Sequence, residues 1–375
     1  MKTDICQRLG IDVPVFAFTH CRDVVVEVCK AGGIGVFGAV GYTPEQLKSE
    51  LAWIDERVGD RPYGIDVIMP MKDLAQEVPD LNSLIPEEHK GWVEQVMQRY
   101  GIAPLPEESG GEAYHGITGD QIGWQHDIAR ALLEEGFRHP NCKVMVNALG
   151  TPPDDIMALC KERGILVGAL AGRLKHAISH KEGGVDFIIA QGHEAGGHTG
   201  EVTTMVLVPQ VVDAVAPIPV LAAGGIGSGR QAAAAMALGA QGVWCGSIWL
   251  TSPQSEVEPL PKSKLLAASS EDTVRTRMLS GKPARMLRSK WTEAWNEEDC
   301  PGFLPMPLQG MLVMEANHRI ARSQNEELAF YPTGQVVGQM NQEKDCRTIM
   351  YELLEEYAHT VERLHTNLHA GEEGL

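Results

Sequence analysis

No stretch of this 375-residue sequence approaches the roughly 20 consecutive apolar residues that a bilayer-spanning helix needs. Its opening residues, MKTDICQRLG, lack the apolar core of a signal peptide, so a soluble cytoplasmic protein is expected. The eight cysteines (Cys6, Cys21, Cys29, Cys142, Cys160, Cys245, Cys300, Cys346) include no Cys-x-x-Cys pair. That spacing argues against a structural zinc site and offers no disulfide framework. Basic charge is scarce: 32 Lys+Arg stand against 50 Asp+Glu, a net charge of -18, and no Lys/Arg cluster marks a nucleic-acid surface. An anionic ligand must therefore be held by local geometry against an unfavourable overall field.

What the chain does have is a recurring unit. Short runs rich in Val and Ile fall near 13–18, 35–39, 64–69, 143–148, 166–170, 185–190, 220–223 and 242–245, with helical patterns between them. Thr43 followed by Pro44 is a good helix start, an N-cap and then proline at the first helical position. Strands that are apolar throughout suit a parallel sheet covered on both faces. Eight strand-then-helix units predict a (β/α)8 TIM barrel over residues 1–255. Residues 71–141 are too long for one crossover and read as an insertion after strand 3, on the active-site face, where a lid would sit. Residues 256–375 read as a mainly helical C-terminal region packing on the barrel, and the apolar face of its last helix can meet the same chain or a second copy in a homodimer.

Gly33-Ile34-Gly35-Val36-Phe37-Gly38 matches the dinucleotide pattern G-x-G-x-x-G, but a helix precedes it and a strand runs through it. That order is the reverse of what the fingerprint requires. Two later elements fit an anion better. VLAAGGIGSGR (220–230) is a strand ending in Gly224-Gly225, with Ser228 as N-cap of the next helix; GVWCGS (242–247) is a strand ending in Gly246-Ser247. In a barrel the loops after strands 7 and 8 commonly hold phosphate, through glycine N–H groups and a helix dipole. QGHEAGGHTG (191–200) follows strand 6. His193 and His198 are five apart with Gly196-Gly197 between them, a poor spacing for a shared metal, so no metal is expected. His198 on a loop suits proton transfer near neutrality, whereas His193 reads as a hydrogen-bonded turn residue.

Four segments together, AGGIGVFGA (31–39), AQGHEAGGHTG (190–200), AAGGIGSG (222–229) and GVWCGS (242–247), resemble the nitronate monooxygenase family, FMN-dependent barrels formerly called 2-nitropropane dioxygenases. The resemblance implies FMN with its phosphate on Gly224, Gly225, Gly246 and Ser247. It implies that Gln191, Gly196 and Gly197 line the flavin ring and ribityl chain, and that a loop around Ala17-Phe18-Thr19 passes beside the ring. His198 would bind the nitro group or remove its α-proton. The implied reaction oxidises an alkyl nitronate with O2, by one-electron transfer to the flavin, to a carbonyl compound and nitrite. A flavin enoyl reductase using NAD(P)H resembles this pattern too. The chain departs from the family where many members carry a first-loop methionine, and at Asp66, where many carry asparagine.

Overall fold

The computed structural model describes residues 2–69, 81–106 and 126–369. Eleven strands are found there: β1 Val15–Thr19, β2 Ile34–Gly38, β3 Tyr63–Val67, β4 Cys142–Asn147, β5 Leu166–Ala171, β6 Phe187–Gln191, β7 Gly197–His198, β8 Val220–Ala223, β9 Gly242–Cys245, β10 Thr273–Thr276 and β11 Ala284–Leu287. β1 to β6, β8 and β9 are all parallel and close on one another, β9 pairing back to β1, so the expected TIM barrel is present. The short strands β10, β11 and β7 form a separate antiparallel sheet that the sequence patterning did not reveal.

Strict alternation builds the wall. Phe16, Ile34, Val36, Val144, Val146, Phe187, Ile189, Leu221 and Trp244 fill the barrel interior in one cluster. Their neighbours in sequence, among them Val15, Phe37, Ile65, Met145, Val167, Ile188 and Val243, face the surrounding helices. Each strand is thus buried on both faces, which is why its sequence is apolar throughout. Ile5, Cys6 and Leu9 of the short helix Asp4–Leu9 join the interior cluster. Thr3 Oγ1 donates to the Gln241 carbonyl just before β9, which puts this helix at the N-terminal mouth, opposite the catalytic face. In the G-x-G-x-x-G run, a Cβ on Gly35 would lie 2.5 Å from Val25 Cα, so glycine there lets helix Arg22–Lys30 lie against β2.

The ring of helices is completed unevenly. Helix Pro44–Val58 begins at the expected capping box, with Thr43 Oγ1 accepting from Gln46 N–H and Gln46 Oε1 from Thr43 N–H. The crossover after β3 is filled by helix His126–Gly136, inside the range read as an insertion; residues 71–80 and 107–125 of that range lie outside the described residues. The last helix, Cys346–His369, packs between helices Gly229–Ala237 and Arg22–Lys30 and so takes the eighth position in the ring.

A second core stands apart from the barrel. Helix Glu87–Arg99 contributes Trp92, Val93, Val96 and Met97, which meet Met286 of β11, Trp291 and Trp295, and Val313 and Ile320 of helix Leu308–Ser323. Trp92, Trp291 and Trp295 pack ring on ring at centroid separations of 4.7–6.2 Å. Arg319, buried here, donates to Glu94 Oε2 at 2.6 Å and to the carbonyls of Ile102 and Ala103 at 2.9 Å. This core, made of pieces near residue 90 and beyond 270, caps the barrel through β11, whose partner β7 carries His198.

Candidate active site

The C-terminal ends of β6, β8 and β9 lie side by side, with Gln191 paired to Ala223 and Ala223 to Trp244. After Gln191 the chain turns at Gly192, where a Cβ would overlap Thr204 Oγ1. Glu194 then accepts from the Thr204 backbone N–H at 2.9 Å and from its hydroxyl at 3.0 Å, which satisfies the start of helix Thr204–Val215. His193 is a turn residue, as expected: its N–H donates to Val202 O, and Arg285 donates to its carbonyl and to its Nδ1 at 3.2 Å.

His198 is not on a free loop. It lies in β7, opposite Ala284, and its neighbour Thr199 donates through its N–H to Pro283 O. The imidazole is accessible from the site yet crowded by protein, and its Nε2 is 2.6 Å from Ser280 Oγ. Burial, and then the positive charge of Lys282, lower its pKa below the usual imidazole value, so it is neutral at pH 7.

The two glycine turns are present at the ends of β8 and β9. Gly224 and Gly225 both have positive φ, 89° and 72°, which favours glycine. Among the described residues their backbone N–H groups donate to no protein acceptor. Ser247 Oγ accepts from Gly334 N–H at 2.8 Å, which leaves its own proton available to a ligand. Ser228 caps helix Gly229–Ala237 as expected, its side chain accepting from Gln231 N–H. The dipole of that helix, however, is already answered. Glu356 of the last helix accepts from Gly229 N–H at 2.8 Å and pairs with Arg230 Nε at 2.7 Å, so the dipole has less to add to an anion at the glycine turn.

Other expected positions fall into place unevenly. Ala17, Phe18 and Thr19 form the end of β1 and not a loop, a correction to the sequence reading: strand pairing to β2 runs through Thr19. Ala17 faces the helices; Phe18 turns inward and stacks on Trp244 at 6.0 Å; Thr19 is buried, its Oγ1 accepting from Cys21 N–H. Gly197 has open space around the Cβ it lacks. A Cβ on Gly196 would press on the Thr333–Gly334 backbone, and one on Gly246 would meet Phe18 at 3.7 Å. Asp66 is 3% exposed at the end of β3, and burial raises its pKa well above the usual carboxylate range.

Sequence reasoning passed over Ser280, Arg285 and the Thr333-Gly334-Gln335 segment. Gln335 N–H donates to Glu194 O, and Gly334 touches both Glu194 and Ser247, so this segment ties the β6 loop to the β9 turn. Thr333 is fully buried, and among the described residues its Oγ1 has no partner. Its one sequence signal was a Thr-Gly-Gln turn; Ser280 had none.

The sequence profile described as nitronate monooxygenase matches residues 10–356. The chain belongs to the nitronate monooxygenase family. A candidate monooxygenase of Mycobacterium tuberculosis is 47% identical, with 97% of this chain and 98% of that protein covered. The "Probable nitronate monooxygenase" of Bacillus subtilis is 29% identical over 88% of this chain and 90% of its own. Among solved structures, FabK from Thermotoga maritima is 27% identical with a TM-score of 0.74, covering 98% of this chain and 99% of its own. A nitroalkane oxidase from Streptomyces ansochromogenes has a TM-score of 0.78 at 24% identity, covering 96% and 99%, a likeness of fold. Membership in the family makes the protein a flavin-dependent oxidoreductase acting on a small molecule. Among the described residues no helix is long and apolar enough to cross a membrane.

Proposed function

We propose that the protein uses FMN and O2 to oxidise alkyl nitronates to a carbonyl compound and nitrite. The observation that carries this reading is the convergence of His198 with the Gly224–Gly225 and Gly246–Ser247 turns at one end of a barrel whose family is known. The residues present suit the cofactor. The unpaired N–H groups of Gly224 and Gly225 and the Ser247 hydroxyl would take the phosphate, with Gly246 leaving room. Gln191, Gly196, Gly197 and the β1 end (Ala17, Phe18, Thr19) would border the ring and ribityl chain, and the unpartnered Thr333 hydroxyl lies beside them. Bound there, FMN supplies the redox chemistry, while the chain supplies position and charge. His198 contacts the nitro group, as its binder or as the base for its α-proton. We further read the protein as cytoplasmic, on its eight free thiols, and as a homodimer through the exposed Val361, Leu364 and Leu368 of its last helix.

The test is the visible spectrum of the purified protein, recorded without oxygen before and after addition of an alkyl nitronate. Bleaching of the flavin band, or its conversion to a radical spectrum, is expected. A band that ignores nitronate and bleaches with NAD(P)H would instead favour a flavin enoyl reductase, a reading to which the enoyl reductase domain of MlnA lends its fold alone. A colourless protein that takes up no FMN would end both readings.

A further inference from the structure

The hydrogen bond between His198 and Ser280 has a direction, and it follows from what else Ser280 does. Ser280 Oγ already accepts from the Lys282 backbone N–H at 3.3 Å. The residue is buried, and among the described residues its hydroxyl has no partner besides His198 and Lys282. A serine hydroxyl carries one proton. Donated to His198 Nε2, that proton leaves every group satisfied. Were Nε2 protonated instead, two donors would face Oγ and the buried hydroxyl proton would have no acceptor, an arrangement proteins avoid. The Nε2 lone pair is therefore engaged, and the imidazole proton sits on Nδ1.

We propose that Ser280 locks His198 in the Nδ1–H tautomer, making it a hydrogen-bond donor and not a base, so that the site takes the nitronate anion in preference to the neutral nitroalkane. The substrate half of this inference rests on the function proposed above; the tautomer half does not. A neutral nitroalkane must lose a proton from carbon, and a locked imidazole has no free lone pair to receive it. A nitronate has already lost that proton and needs only a donor for its oxygen. Lys282 adds to the same preference: it forms no ion pair with a carboxylate among the described residues, and its charge reaches His198. Ser280 is thus a positioning residue, acting through His198.

Two-bond proton–nitrogen correlation spectra of the 15N-histidine-labelled flavoprotein near neutral pH test the lock directly, with His198→Asn identifying the signals. A proton on Nδ1 and a bare, pyridine-type Nε2 are expected; a proton on Nε2 would overturn the lock whatever the activity. In Ser280→Ala, the tautomers should mix and kcat/KM for nitronate should fall about 10- to 100-fold, by analogy with the loss of the hydrogen-bond partner that orients a metal-bound histidine. Ser280→Thr, which keeps the hydroxyl, should restore the Nδ1–H form and most of the rate. Flavin content and the thermal midpoint report whether each variant folds. Wild-type protein that turns over neutral nitroalkane as fast as nitronate would overturn the specificity even with the tautomer as expected. Wild-type protein that consumes neither compound would end the nitro reading and its substrate half, while the spectra still decide the lock.

Discussion

The barrel and the core that caps it each bury an ionisable side chain, and they treat it in opposite ways. Among the described residues no cation acts on Asp66 in the barrel wall, and burial pushes its carboxyl toward the neutral form. Arg319 in the cap is held by Glu94 and by two backbone carbonyls, all from residues more than 200 positions away. A protonated Asp66 can donate a hydrogen bond, as an asparagine at this position would, whereas an ionised carboxylate can only accept. The contrast teaches where each region gets its specificity. The barrel interior is apolar and relies on alternation within a repeated strand; the cap ties distant segments together with polar contacts around three tryptophans.

The largest test of that difference is Trp291→Ala. Removing a fully buried tryptophan from the cap should cost about 3–5 kcal/mol in denaturant unfolding. FMN should still bind, because the proposed phosphate turns belong to β8 and β9; loss of flavin in step with the cap would show that the two cores are one cooperative unit. Gly35→Ala attacks the other side. The new Cβ meets the Val25 backbone, and overpacking of that kind should cost about 1–3 kcal/mol and lower flavin retention along with stability. Asp66→Asn should act more gently and with a definite sign. The folded pKa of Asp66 is raised, so its contribution to stability is complete below about pH 4 and is lost as pH rises toward the folded value. Asparagine cannot ionise, so the variant should match the wild type in acid and gain on it toward neutrality. A variant that loses stability as pH rises would mean that Asp66 is ionised and paired.

The barrel was legible because its strands repeat one solution. Runs such as Phe187-Ile188-Ile189-Ala190 are apolar at every position, and glycine marks the end of each of β6, β8 and β9. The position of His198 followed from strand count alone. What surrounds it did not. Ser280 and Gly334 reach the site from more than 80 residues away in sequence, and nothing periodic announces them. β7, β10 and β11 have two to four residues each, too few for alternation to register. The carboxylate that meets the start of helix Gly229–Ala237, Glu356, was hidden for the same reason, since it arrives from the last helix.

That last helix has a consequence for how the molecule comes into being. A Cβ on Gly229 would overlap the backbone of Leu353 and Tyr357, so the two helices touch main chain to main chain. The ring is therefore sealed only once residues from 346 onward have left the ribosome, long after the strands they shelter were made. Until then the flank of helix Arg22–Lys30 waits uncovered, and a nascent chain stalled before residue 346 would be a natural client for chaperones.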